Sequence, residues 1–176
     1  MSSASPDRPA VSGGREPLVD GLGVDIGGVV VKLRGYREDE ILPGDHPREM
    51  PGARAALGLL RDERFGNRIY LVSKCGPRTE AVTRRALIEG GLCKETGVGL
   101  DRAHFCRERR DKATICEQLG LTHFVDDRLE VLSYLTTVPH RYLFNGRTHE
   151  IKRFRQALAS VTAVADWGEL VRAILG

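Results

Sequence analysis

The chain has 176 residues, 41% of them apolar and 29% charged, with a formal net charge of +3, the composition of a soluble globular protein with one α/β-sized core. No apolar run approaches the roughly 20 residues of a membrane helix, and so mild a charge does not by itself make nucleic acid or a membrane surface the expected partner. Four cysteines (Cys75, Cys93, Cys106 and Cys116) form no Cys-X-X-Cys pair, so reduced thiols and a cytoplasmic setting are expected.

Taken in chain order, residues 1–17 lack an apolar signal core and are expected to form a flexible tail, with 18–176 as a single α/β domain. Residues 21–31 are a Val-rich apolar run bounded by glycine, the pattern of a buried strand in a parallel sheet. The one carboxylate, Asp25, and the pair Gly27-Gly28 put a charge and a sharp turn where that strand leaves the sheet. Residues 32–50 are polar and broken by Gly35, Pro43, Gly44 and Pro47, which predicts a loop or short flap over a crevice mouth. Helical spacing over 51–60, with Pro51 suited to the first turn, precedes a buried strand at 68–73 that ends in Ser73. A helix is predicted over 77–89, stopped by Gly90-Gly91, then a short loop over 91–102 and a strand at 103–106. Asp111 opens a helix over 111–119 that Gly120 closes. The strand 122–126 runs into Asp126-Asp127, followed by a helix over 128–135 and a strand at 141–144. A strand at 161–164 and a helix over 166–175, with Trp167 in the core, complete the chain. Strand and helix alternating in this way predict a doubly wound parallel sheet of Rossmann-like type, without internal repeat.

In such sheets, ligands sit outside the carboxyl ends of the strands. Four element ends there carry polar groups in order: Asp25, Ser73, Lys112 at the head of its helix, and Asp126-Asp127. Each has a use in phosphoryl transfer. A carboxylate can attack phosphorus, a hydroxyl and an ammonium grip phosphate oxygens, and paired carboxylates complete an oxygen-rich Mg²⁺ site. Asp and Gly are also ordinary turn formers, so the ordered set carries the reading rather than any one member.

Val24-Asp25-Ile26-Gly27-Gly28, Leu71-Val72-Ser73, Lys112 and Phe124-Val125-Asp126-Asp127-Arg128 together resemble the motifs of the haloacid dehalogenase (HAD) superfamily of phosphotransferases, over roughly residues 24–131. The resemblance implies a Mg²⁺-dependent phosphomonoesterase in which Asp25 is the nucleophile that becomes phosphorylated. It implies that Asp25, the Gly27 carbonyl, Asp126 and Asp127 hold the metal, and that Gly27, Gly28, Ser73, Lys74 and Lys112 surround the phosphate. The later acidic pair disfavours the superfamily's metal-free dehalogenases. One departure stands out: phosphatases of the family usually carry a second Asp two residues after the nucleophile, as general acid and base, and here that residue is Gly27. Such help is worth about 10²–10⁴-fold. Three readings stay open: His46 or Glu49 of the flap supplies the proton, the leaving group needs none, or the chain is an impaired module that binds a phosphorylated ligand or protein.

Smaller signals have plainer readings. Arg107-Glu108-Arg109-Arg110 reads first as a solvated face, though one a phosphate-rich substrate could lean on; Lys74 and Arg78 read first as solvated charges, and Cys75 as a buried thiol before a reactive one. His123 reads as a packed core histidine, and Arg128 as a residue that orients the acidic pair. Cys93, His104 and Cys106 lack the spacing of common zinc ligands. No cap is inserted after the first or second motif, so family analogy implies an open crevice. That suits a bulky phosphorylated substrate such as a protein or a nucleic-acid end, or a homo-oligomer whose neighbour closes the site.

Overall fold

The computed structural model describes residues 19–32 and 47–176. The expected tail (1–17) and most of the flap, His46 included, lie outside the described residues. Among those described, six strands form one sheet in the order β3-β2-β1-β4-β5-β6: β1 (Leu22–Val24), β2 (Ile69–Lys74), β3 (Ala103–Cys106), β4 (His123–Asp126), β5 (His140–Phe144) and β6 (Thr162–Val164). Every pairing is parallel, and the fold is the α/β doubly wound type. The chain order reverses between β1 and β4, which makes the crevice at their carboxyl ends the natural ligand position.

Alternation along the strands explains the two layers around the sheet. Ile69, Leu71, Val125, Tyr142 and Phe144 face one core; Val72, Phe124 and Leu143 face the other. Helices α1 (Ala53–Leu60), α2 (Pro77–Glu89), α3 (Leu92–Thr96) and α7 (Trp167–Leu175) contribute Leu57, Leu87, Leu92 and Trp167 to the first. Helices α4 (Asp111–Leu119), α5 (Leu129–Tyr134) and α6 (Thr148–Arg153) contribute Cys116, Leu132 and Ile151 to the second. On β1 a Cβ at Gly23 would meet the Phe124 ring at 2.3 Å, so glycine there leaves the space that the ring occupies.

The structure corrects the sequence reading in particular places. The run 21–31 is not one strand: after Asp25 the chain folds into a compact turn in which Val30 and Val31 donate N–H bonds to the Ile26 carbonyl (3.0 and 2.9 Å). Its valines are buried all the same, and Trp167 pins the turn by donating its indole N–H to the Val29 carbonyl (2.9 Å). Residues 91–102 are not a plain loop; they hold α3 and a 3₁₀ turn (Leu100–Arg102). Helix α1 continues into a π-helical turn (Arg61–Phe65), and 148–160 holds α6 and a second 3₁₀ segment (Arg155–Ser160). No helix among the described residues is long and apolar enough to cross a membrane.

Candidate active site

Asp25 is the first residue past β1, and its N–H donates to the Val125 carbonyl (3.0 Å), which fixes it beside the end of β4. Asp126 is the last residue of β4 and Asp127 follows it. Lys112, in the first turn of α4, reaches under both. Its side chain is 2% exposed, and Nζ donates to Asp25 Oδ1 at 2.7 Å and to Asp126 Oδ2 at 2.8 Å. A carboxylate pair buried at these strand ends would be unstable without that bridge, because desolvated charge is tolerated only when paired.

The buried charges alter one another. Burial pushes the Asp25 carboxyl up to about 7; Lys112 opposes this, while Asp126 and Asp127 add to it. Burial likewise raises Asp126 against the pull of Lys112. Burial alone would lower the Lys112 ammonium, yet the fields of Asp126 and Asp25 outweigh it and hold the group above the ordinary lysine range.

Asp127 is oriented from outside the cluster. Its Oδ2 accepts from Arg147 Nη2 (2.9 Å) and Nε (3.2 Å). Gly28 sits at φ +93°, and a Cβ there would lie 2.7 Å from the same Oδ2. Only glycine allows both the turn and the close approach. Asp126 Oδ1 accepts the Arg128 backbone N–H at 2.9 Å. One oxygen each from Asp25, Asp126 and Asp127 fall within 4.8 Å of one another, the only such cluster of metal-ligating side chains among the described residues. Hard oxygen donors in excess of the one buried ammonium fit a divalent cation of the Mg²⁺ kind.

A cleft of about 250 Å³ opens over this cluster. Asp25, Gly27, Gly28, Ser73, Lys74, Lys112, Asp126 and Asp127 all line it, so the structure brings together the residues expected at the nucleophile, phosphate and metal positions. Thr79 and Arg147, which the sequence did not single out, line it as well, as does Arg109 of the basic segment 107–110.

No known sequence family and no curated protein matches the chain. Solved structures do. The cobalt-bound deoxy-D-mannose-octulosonate 8-phosphate phosphatase (YrbI) of Haemophilus influenzae superposes with a TM-score of 0.57 at 14% identity, over 90% of this chain and 88% of that one. A candidate HAD family hydrolase of Streptomyces avermitilis MA-4680 does so with a TM-score of 0.50 at 16% identity, over 89% and 88%. The fold is that of HAD family hydrolases.

Within this HAD fold, three smaller expectations change. Glu49, a candidate proton donor, is spent elsewhere: its Oε2 accepts from Arg54 Nη2 at 2.7 Å, and it does not line the cleft. The Arg107–Arg110 segment is more than a solvated face. Arg107 donates to the Cys75 carbonyl (2.7 Å) and to Glu80 (2.8 Å), clamping the approach to α4 against the end of β2, and Arg109 donates to Glu130 (2.8 Å). Arg128 does orient Asp126, but through its backbone; its guanidinium pairs with Glu150.

Proposed function

We propose that the protein is a Mg²⁺-dependent phosphohydrolase that works through a phosphorylated Asp25. The observation that carries the reading is the Lys112 bridge between Asp25 and Asp126, with Asp127 within metal-sharing distance. A core ion pair built for stability alone gains little over apolar packing, whereas two carboxylates bridged by one ammonium, with a third beside them held by Arg147, suit a phosphate and its counter-ion at a topological switch point.

An Asp25 oxygen attacks the phosphorus, and the bond to the leaving oxygen breaks with its electron pair staying on that oxygen. Water then attacks the aspartyl-phosphate and releases phosphate, returning Asp25 to a carboxylate. Lys112 and Ser73 hold non-bridging oxygens and keep the phosphate in line. Asp25, Asp126, Asp127 and the Gly27 carbonyl would hold the cation, which when bound neutralises charge on the transferring group. Arg147 and Gly28 keep Asp127 in place.

The test is turnover of 4-nitrophenyl phosphate with Mg²⁺. Wild type is expected to be active and to lose activity on chelation, and Asp25→Asn to be inactive while keeping the fold by circular dichroism. Equal turnover by Asp25→Asn would refute the mechanism. A rival reading draws on Gly27, which can shuttle no proton: a module that binds phosphoryl groups without cleaving them. It predicts Mg²⁺-dependent binding of phosphate with no product.

A further inference from the structure

Among the described residues, the cleft is short of proton donors. Among the described residues lining it, the Asp, Glu and His side chains are Asp25, Asp126 and Asp127 alone, all committed to nucleophile and metal. Glu49 is held by Arg54. With these acids alone among the described lining residues, an alcohol leaving group would depart as an alkoxide, forgoing about 10²–10⁴-fold of rate.

Beside the cleft lies a second hollow of about 340 Å³, lined by Lys74, Glu108, Arg109, Arg110, Glu130 and Tyr134. Lys74 and Arg109 line both, so the two hollows share a cationic wall. Arg109 is fixed by Glu130 Oε2 (2.8 Å), whose other oxygen accepts from the Tyr134 hydroxyl (3.1 Å). Lys74 and Arg110 are exposed and have no carboxylate partner among the described residues. The hollow therefore offers the uncommitted positive charge of Lys74 and Arg110 directly beside the cleft, with Glu130 neutralising Arg109 and Glu108 as the other carboxylate in its lining.

We propose that the substrate is a phosphoanhydride, a terminal diphosphate whose inner phosphate is the leaving group and rests against Lys74, Arg109 and Arg110. This rests on the Asp25 reading above and names its substrate class. An Asp25 oxygen bonds to the terminal phosphorus while the bond to the bridging oxygen breaks. The electron pair stays on the bridging oxygen, which leaves as a phosphate anion and needs no proton. Water then attacks the aspartyl-phosphate; one of its protons stays on the released phosphate and the other goes to solvent. A leaving group that is itself an anion at neutral pH removes the need for the missing acid, and the cationic wall holds the charge it gains.

The test compares methyl diphosphate, 4-nitrophenyl phosphate and methyl phosphate on the full chain with Mg²⁺, as kcat/KM, because release from Asp25 is common to all three. The diphosphate and the aryl ester are expected to exceed methyl phosphate by about 10²-fold or more. Arg110→Gln, which changes a residue that lines only the second hollow, is expected to lower the diphosphate-to-aryl ratio about tenfold. Calorimetry on the Asp25→Asn protein adds a readout without turnover: methylenediphosphonate should bind about tenfold tighter than methylphosphonate, and Arg110→Gln should erase that preference. A preference that survives Arg110→Gln would reflect chelation of Mg²⁺ and overturn the subsite. Methyl phosphate cleaved within tenfold of the aryl ester would overturn it too, by revealing a proton donor. Aryl ester turnover that needs Asp25, without any diphosphate preference, would defeat this inference alone; turnover that survives Asp25→Asn would defeat the mechanism beneath it.

Discussion

Strand β4 carries a buried ionisable side chain at each end, and the two ends treat it in opposite ways. His123 opens the strand, 1% exposed, with its ring stacked on His140 (4.4 Å between centroids), edge-on to Phe65 (5.1 Å) and with Nδ1 2.8 Å from the Thr122 hydroxyl. Burial, with the charges of His140 and Arg64 adding to it, lowers its pKa to about 4, so it fills space as a neutral ring. Asp126 closes the strand, equally buried, but meets Lys112, Asp25 and Asp127. One end of the strand is solved by neutral packing and the other keeps unbalanced charge in the interior. A protein retains that second arrangement where function needs it, at a cost in stability met elsewhere.

The contrast can be broken most severely at the charged end. Asp25→Asn removes the proposed nucleophile and should abolish turnover in the aryl phosphate assay with the fold intact. Lys112→Met leaves two buried carboxylates without their shared cation; chemical denaturation should show a loss of about 3–5 kcal/mol. Adding Asp126→Asn to that variant should recover part of the loss, and no recovery would mean the ammonium matters through packing instead. Gly28→Ala forces a Cβ to within 2.7 Å of Asp127 Oδ2 at a positive φ and should cost about 1–3 kcal/mol, with weaker Mg²⁺ binding by calorimetry.

The neutral end gives the smallest effect and the opposite pH behaviour. The folded pKa of His123, about 4, lies below its ordinary 6.5. Between those values the unfolded chain takes up a proton that the folded chain refuses. Its contribution is therefore complete above about pH 6.5 and is lost as the pH falls toward 4, roughly 1–2 kcal/mol by pH 5. His123→Phe should flatten that part of the stability profile; an unchanged profile would show that the acid sensitivity lies elsewhere.

Asp25, Ser73, Lys112 and Asp126-Asp127 were legible in the sequence because each stands at an abrupt change from an apolar or helical run to a polar group, and a parallel sheet collects such ends on one edge. Arg147 was not legible. It lies 20 residues from Asp127 in a polar stretch without periodicity, and only the fold brings its guanidinium to Oδ2. Helix α6 was missed for the same reason: its six residues (Thr148–Arg153) offer too few apolar positions to show a helical stripe. The clamp made by Arg107 was hidden because a run of charges looks solvated until a carbonyl such as that of Cys75 is placed beside it. The strand reading of 21–31 went too far because burial, rather than strand geometry, is what keeps Val29 and Val30 apolar.

Rapid-quench analysis of the wild-type protein with Mg²⁺ and 4-nitrophenyl phosphate tests most directly whether Asp25 is the group that takes the phosphate. The chain has no general base at Gly27 to speed the second step, so a stoichiometric burst of nitrophenolate followed by slower turnover is expected. Peptide mass analysis of the quenched protein should place one phosphoryl group on Asp25. Product formed without a burst and without phosphate on Asp25 would contradict the mechanism.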